Sequence, residues 1–196
     1  MPQSRHRFAL PAYVLAALLA LGACAPTDYF LLPQGGPAAA GRVAAPSVSV
    51  ADISLPAYAD ALEIASLQPA GEVRLAKASL WADTPRRALT LHLVSALQDR
   101  LTGPVGTEPW PGFEGAGLRV AVTVERMIGA PGGPLDFSGQ FVIVTAGGEV
   151  RAADRFAITV PSQGPGYAGL MADHARAIDL LADRIAARIG GRRVTS

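Results

Sequence analysis

The stretch from Leu118 to Glu125 constrains this chain more than any other. Leu118, Val120, Val122 and Val124 alternate there with Arg119, Ala121, Thr123 and Glu125. Successive side chains of a strand point to opposite faces, so the pattern requires a sheet with one dry face and one wet face. Turn signals then recur at hairpin spacing. Pro131-Gly132-Gly133-Pro134 divides this strand from a second, Leu135 to Ala146, and Gly147-Gly148 divides that from a third, Glu149 to Val160. In the third, Val150, Ala152, Phe156, Ile158 and Val160 are expected on one face, with Arg151, Arg155 and Thr159 on the other.

A sheet with one apolar face needs a second layer, and two segments have helical spacing. The first follows Asp83 and Thr84, either of which can cap it, with Pro85 in its first turn. Its apolar positions are Ala88, Leu91, Val94, Leu97 and Leu101. The second runs from Tyr167 to Ile189 with a stripe of Leu170, Met171, Ile178, Leu181, Ala182, Ile185 and Ile189, and Gly190-Gly191 stops it. Upstream, Ser47 to Ile53 reads as a strand and Leu55-Pro56-Ala57-Tyr58 as a turn. Leu62 to Leu67 and Glu72 to Ser79 read as a hairpin across Gln68-Pro69-Ala70-Gly71, and Gly103 to Gly117 as a loop holding Pro109-Trp110-Pro111. The expected class is α+β, a mostly antiparallel sheet with both amphipathic helices packed on one face.

The N-terminus sets the compartment. Arg5, His6 and Arg7 precede an apolar run from Phe8 to Leu21, and Leu21-Gly22-Ala23-Cys24 follows. A basic start, a short apolar centre and small residues at a cut site form a secretory signal. A cysteine directly after the small residues is the lipoprotein form of that site, where the thiol takes a diacylglyceryl group. Spanning a bilayer takes about 20 apolar residues, more than this run offers. Cys24 is the sole cysteine, so it has no partner for an internal disulfide. The expected organisation is a signal over 1–23, a lipidated anchor and Pro/Ala/Gly-rich linker over 24–46, a folded domain over 47–191 and a tail over 192–196. Inside the linker, Asp28-Tyr29-Phe30-Leu31-Leu32 forms an apolar island with two readings, an edge strand docked on the domain or a segment lying near the membrane. Ala25 after the cysteine, in place of Asp, favours the outer membrane over retention at the inner one.

Little in the chain suggests chemistry. Loss of Arg5 and Arg7 with the signal turns a formal charge of +1 into −1, which leaves no electrostatic footprint for nucleic acid. Gly164-Pro165-Gly166-Tyr167-Ala168-Gly169 matches a dinucleotide fingerprint, but the helix behind it closes the domain, so no parallel strand completes the unit. No nucleotide site is expected. His92, Ser95 and Asp99 fall on one helix, where a triad cannot assemble, and read as its polar flank. His174 reads as a packed histidine. Asp173, Asp179 and Asp183 alternate with Arg176, Arg184 and Arg188 as a solvated helix face. No metal-ligand spacing is present, and no cofactor is expected beyond covalent lipid on Cys24. Trp81 and Trp110 sit at junctions, either as packing or as anchors for a partner.

Taken in order, several segments resemble the auxiliary lipoproteins of ABC-type transport systems, the paraquat-inducible protein C-like (PqiC-like) group. They are the cysteine, Tyr29-Phe30-Leu31-Leu32-Pro33, Ile53-Ser54-Leu55-Pro56-Ala57-Tyr58, Glu72-Val73-Arg74-Leu75-Ala76 and Trp81-Ala82-Asp83. Leu97-Gln98-Asp99-Arg100-Leu101, Pro109-Trp110-Pro111 and Leu118-Arg119-Val120 follow. Ala59-Asp60-Ala61-Leu62-Glu63 departs from the Asp-Arg-Pro-Gln-like stretch the family often carries there. The resemblance implies a non-enzymatic accessory subunit at the periplasmic side of the outer membrane. Its partner would be a protein with mammalian-cell-entry (MCE) domains that bridges the periplasm for phospholipid, driven by an ATPase elsewhere. Tyr58, Trp81 and Trp110 are the expected partner contacts, with the Trp110 loop and the strand edges as the docking surface. A homo-oligomer suits a piece that docks on a tube. The rival readings are a free-standing periplasmic protein that binds lipid or a small molecule, and an envelope structural factor without cargo.

Overall fold

A computed structural model describes residues 26–36, 41–112 and 114–191. The signal segment, Cys24 and the tail over 192–196 lie outside the described residues. The elements are β1 (Asp28–Phe30), β2 (Val48–Val50), β3 (Glu63–Leu67), β4 (Val73–Trp81), α1 (Pro85–Arg100), β5 (Val105–Thr107), β6 (Leu118–Gly129), β7 (Leu135–Thr145), β8 (Val150–Val160) and α2 (Gly166–Ile189). A five-stranded sheet has the order β5-β2-β6-β7-β8, and a three-stranded sheet has the order β1-β4-β3. The α+β class holds, with a refinement. The β6-β7-β8 meander and the β3-β4 hairpin are antiparallel, whereas β2 pairs in parallel with β5 and β6, and β1 in parallel with β4.

The alternation in β6 works as expected up to Val124 and then breaks. Glu125 and Arg126 are both exposed, and the register with β7 shifts between Val124 and Arg126. This bulge reverses the parity of the strand, so that Met127 points inward opposite Phe137. A second shift, between Ile143 and Val144, pairs Val144 with Val150. Val150 therefore leaves the apolar face expected of it and stands exposed, while Ala152, Phe156, Ile158 and Val160 stay buried.

Both helices cover the dry face. On α1 the buried apolar line is Leu89, Leu93, Val94, Ala96 and Leu97, and Leu91 is exposed. Val94, Leu97 and Leu101 of the expected stripe are buried, whereas Leu91 belongs to the outward side and Leu89 and Leu93 take core positions. The stripe on α2 is buried at every expected position. Phe137, Phe141, Leu93, Leu97, Leu181 and Ile185 are each 1 % exposed or less, so side chains fill the space between the layers.

Two connections depart from expectation. The loop after α1 contributes β5, whose three residues give no legible period. The expected strand over 47–53 pairs as a strand over Val48–Val50, and the chain beyond follows the edge of β6 by single bonds. Ala51 and Ser54 donate to the Val120 and Val122 carbonyls, and Val124 donates back to Ser54.

Candidate functional site

A groove of about 820 Å³ opens on the wet face of the five-stranded sheet where β5, β2 and β6 lie side by side. Register explains its floor. Ser49 stands between Gly106 of β5 and Arg119 of β6, and side chains at paired positions share a face. The Trp110 ring closes one side. It rests against Gly106, where a Cβ would come 3.3 Å from the ring, and is half-buried. The Glu108–Pro109 bond that leads into it is cis. Glu108 accepts two bonds from the Arg119 guanidinium, at 2.6 and 3.2 Å, and its amide donates to the Val50 carbonyl. Asp52 stands exposed on the rim. The result is an aromatic plate beside a fixed ion pair on an open surface, a shape suited to a protein or headgroup surface rather than to an enclosed small molecule.

Of the residues expected to meet a partner, Trp110 alone presents itself at this groove. Trp81 is 5 % exposed and meets His174 edge-on at 5.3 Å, so it is an internal packing residue. The Tyr58 hydroxyl accepts the Met127 amide at 3.1 Å and satisfies the edge of β6 just past its bulge.

A smaller groove of about 420 Å³ lies over α1, lined by Leu32, Gln34, Gly35, Leu91, His92 and Ser95. Its base corrects two sequence expectations. His92 is no polar flank, because it is buried and its Nε2 meets Asp179 Oδ1 of α2 at 3.1 Å. Asp179 is no solvated residue either. It is 3 % exposed, and its second oxygen accepts the Gly36 amide at 3.1 Å. Burial alone would raise the Asp179 pKa. The His92 hydrogen bond, the Gly36 amide and the His92 and Arg100 charges outweigh it and hold the carboxyl below its ordinary value. Gly35 must lack a side chain, since a Cβ would come within 2.6 Å of Asp179 Oδ1. Ser95 and Asp99 stay exposed, and no triad forms.

Of the remaining charges of α2, Arg176 is exposed as expected, and the others are tied to neighbouring elements. Asp183 takes the Arg100 guanidinium at 2.6 Å, Arg188 meets Asp154 of β8 at 2.5 Å, and Arg184 donates to the Ala157 carbonyl. Asp173 is fully buried and accepts the Gln163 amide at 2.7 Å, and burial raises its pKa against that bond. Beyond Arg176 the expected solvated face is lost, because α2 lies against the sheet, α1 and the N-terminal segment, which turns most of its polar positions into seams. His174 packs as expected, with its Nδ1–H donating to the Leu170 carbonyl at 2.6 Å, and burial lowers its pKa to about 4. The glycine fingerprint over 164–169 is a helix start. Gly166 has φ +67°, and a Cβ on Gly169 would come 2.0 Å from the Gly164 carbonyl oxygen. Among the described residues no group of His, Cys, Asp and Glu is placed to hold a metal, and no helix is long and apolar enough to cross a membrane.

These features define a filled α+β body whose buried polar groups bind its own elements together and whose open chemistry lies on surface grooves. Residues 29–186 match the model of the family described as ABC-type transport auxiliary lipoprotein component, and the chain belongs to that family. It is a transport-accessory and lipoprotein family, not an enzyme family. Solved structures agree on the fold. One, titled an uncharacterized protein, superposes with a TM-score of 0.70 at 21% identity over 84% of this chain and 99% of its own. A Xanthomonas campestris protein of the DUF330 family gives 0.62 at 16% identity over 82% and 93%. A search of curated proteins gives no match.

Proposed function

We propose that this protein is the outer-membrane accessory subunit of an MCE-type ABC lipid transport system. It is anchored by lipid on Cys24 and docks the periplasmic conduit protein through the Trp110 groove. The family match over 29–186 carries the reading. The groove supports it at the level of surface chemistry, because tryptophan and arginine are the residues that most often anchor protein interfaces. No step of catalysis is assigned to the chain. Its strongest histidine–carboxylate pair, His92 with Asp179, is buried between helices and serves their packing. The filled interior argues against the rival reading of a free-standing protein that encloses a lipid.

The experiment is deletion of the gene followed by detergent challenge. The proposal expects increased outer-membrane permeability and phospholipid in the outer leaflet, restored by the intact chain and not by a Cys24→Ala variant. Unchanged permeability and asymmetry in the deletion strain would contradict it.

A further inference from the structure

The segment expected to act as a long linker is largely docked. β1 begins at Asp28, four residues after Cys24 in the sequence. It pairs along β4, the Phe30 ring meets Tyr167 at a tilt with centroids 6.1 Å apart, and the Gly36 amide donates to Asp179. Further along, Arg42 donates to the Leu101 and Gln98 carbonyls, and Val43 exchanges backbone bonds with Arg100 and Thr102. A free linker over 24–46 would let the domain roam tens of ångströms from its anchor. Four residues, fully extended, reach about 14 Å.

Direction matters as much as length. β1 runs parallel to β4 with Asp28 opposite Ser79, so the chain arrives at β1 from the side of the β3–β4 turn. Cys24 precedes Asp28 by as many residues as Leu75 precedes Ser79. At the turn end of this small sheet Val73 and Leu75 stand exposed, whereas the exposed Tyr29, Leu31 and Leu62 lie at its far end beside Leu80 and Trp81. β4 also carries Arg74 and Lys77 and no acidic residue, although Glu72 stands in the turn before it.

We infer that the tip of the β3–β4 hairpin, with Val73 and Leu75 at its exposed end, lies against the phospholipid surface that holds the lipidated cysteine. Apolar side chains enter the boundary between headgroups and acyl chains, and Arg74 and Lys77 meet anionic headgroups. The short tether leaves this sheet nearest the bilayer. This inference rests on the reading of Cys24 as the anchor.

The test uses the full mature protein extracted from membranes and reconstituted in vesicles of phosphatidylethanolamine and phosphatidylglycerol. The native cysteine is blocked by its lipid, so Leu75→Cys and, separately, Val150→Cys each offer one thiol for a fluorescent label. The expected result is quenching by lipids brominated near the headgroup that is at least about twofold stronger at position 75 than at 150, as for a group seated in the interfacial layer. Protein that floats with the vesicles while position 75 is quenched no more than 150 overturns the inference and leaves the anchor standing. Labels at 75 that quench one another in place of bromine quenching assign the tip to a second copy of the chain and also overturn it. Protein that does not float and carries no acyl mass on Cys24 overturns the anchor and the inference together.

Discussion

His92 of α1 and Asp179 of α2 meet at 3.1 Å beneath the backbone of Gly36, so one carboxylate joins both helices to the N-terminal segment. Removing one member of a buried pair costs about 3–5 kcal/mol, because the other is left without its partner. Asp179→Ala is expected to destabilise the protein by about 3 kcal/mol in urea unfolding. It should also strip hydrogen-exchange protection from the Gly36 amide. The native carboxyl has a depressed pKa, so its contribution is present above the unfolded value of 3.8 and fades as pH falls through the lower native value. Unchanged exchange at Gly36 would mean that the strap is held by other contacts.

His174 gives stability the opposite relation to its own charge. Its native pKa is about 4 against 6.5 unfolded, so between these values the unfolded chain binds the extra proton. Stability is therefore complete above pH 6.5 and declines as pH falls toward 4, by on the order of 3 kcal/mol. Asp173, with a raised native pKa, opposes this, since it favours the folded state as pH falls toward 3.8. Denaturant titrations of wild type and His174→Gln across pH 4–7 should show a slope in the former that flattens in the latter. Parallel curves would exclude His174 as its source.

At the start of α2, a methyl group on Gly169 would run into the Gly164 backbone at 2.0 Å. Gly169→Ala is expected to lower stability by about 1–3 kcal/mol, the usual cost of overpacking. Gly147→Ala, in the β7–β8 turn, meets only the Thr145 hydroxyl at 3.8 Å and should cost less. Thermal unfolding of the two variants decides the matter, and equal losses would contradict the close approach.

Trp110 separates docking from folding. Its ring lies on Gly106 at the groove and outside the helix–sheet core. Trp110→Ala is expected to weaken partner recovery by at least about 2 kcal/mol, or roughly thirtyfold, as for an interface anchor. Its unfolding midpoint should shift far less than that of Leu97→Ala, which empties a fully buried core position. Normal recovery with Trp110→Ala would move the docking surface elsewhere.

The sequence made the β6-β7-β8 meander, the β3-β4 hairpin and both helices legible because long periodic segments declare their faces. It did not reveal the bulges that turn Met127 inward and Val150 outward, since one inserted residue reverses parity without changing composition. Short strands such as β5 carry no period at all. At the candidate groove, the outward direction of Arg119 followed from alternation, whereas its pairing with Glu108 depends on a loop path that spacing cannot give. The partners of most charges on α2 are illegible for a related reason. Helical spacing finds neighbours on the same helix, and the partners of Asp179, Asp183 and Arg188 came from α1 and β8.

The most direct test of the account is mild crosslinking of the tagged, acylated protein in native membranes, followed by purification and identification of what comes with it. The account predicts recovery of an MCE-domain protein, reduced by Trp110→Ala at unchanged expression. Repeated purifications with several crosslinkers that yield the intact lipoprotein and no MCE-domain protein would contradict it.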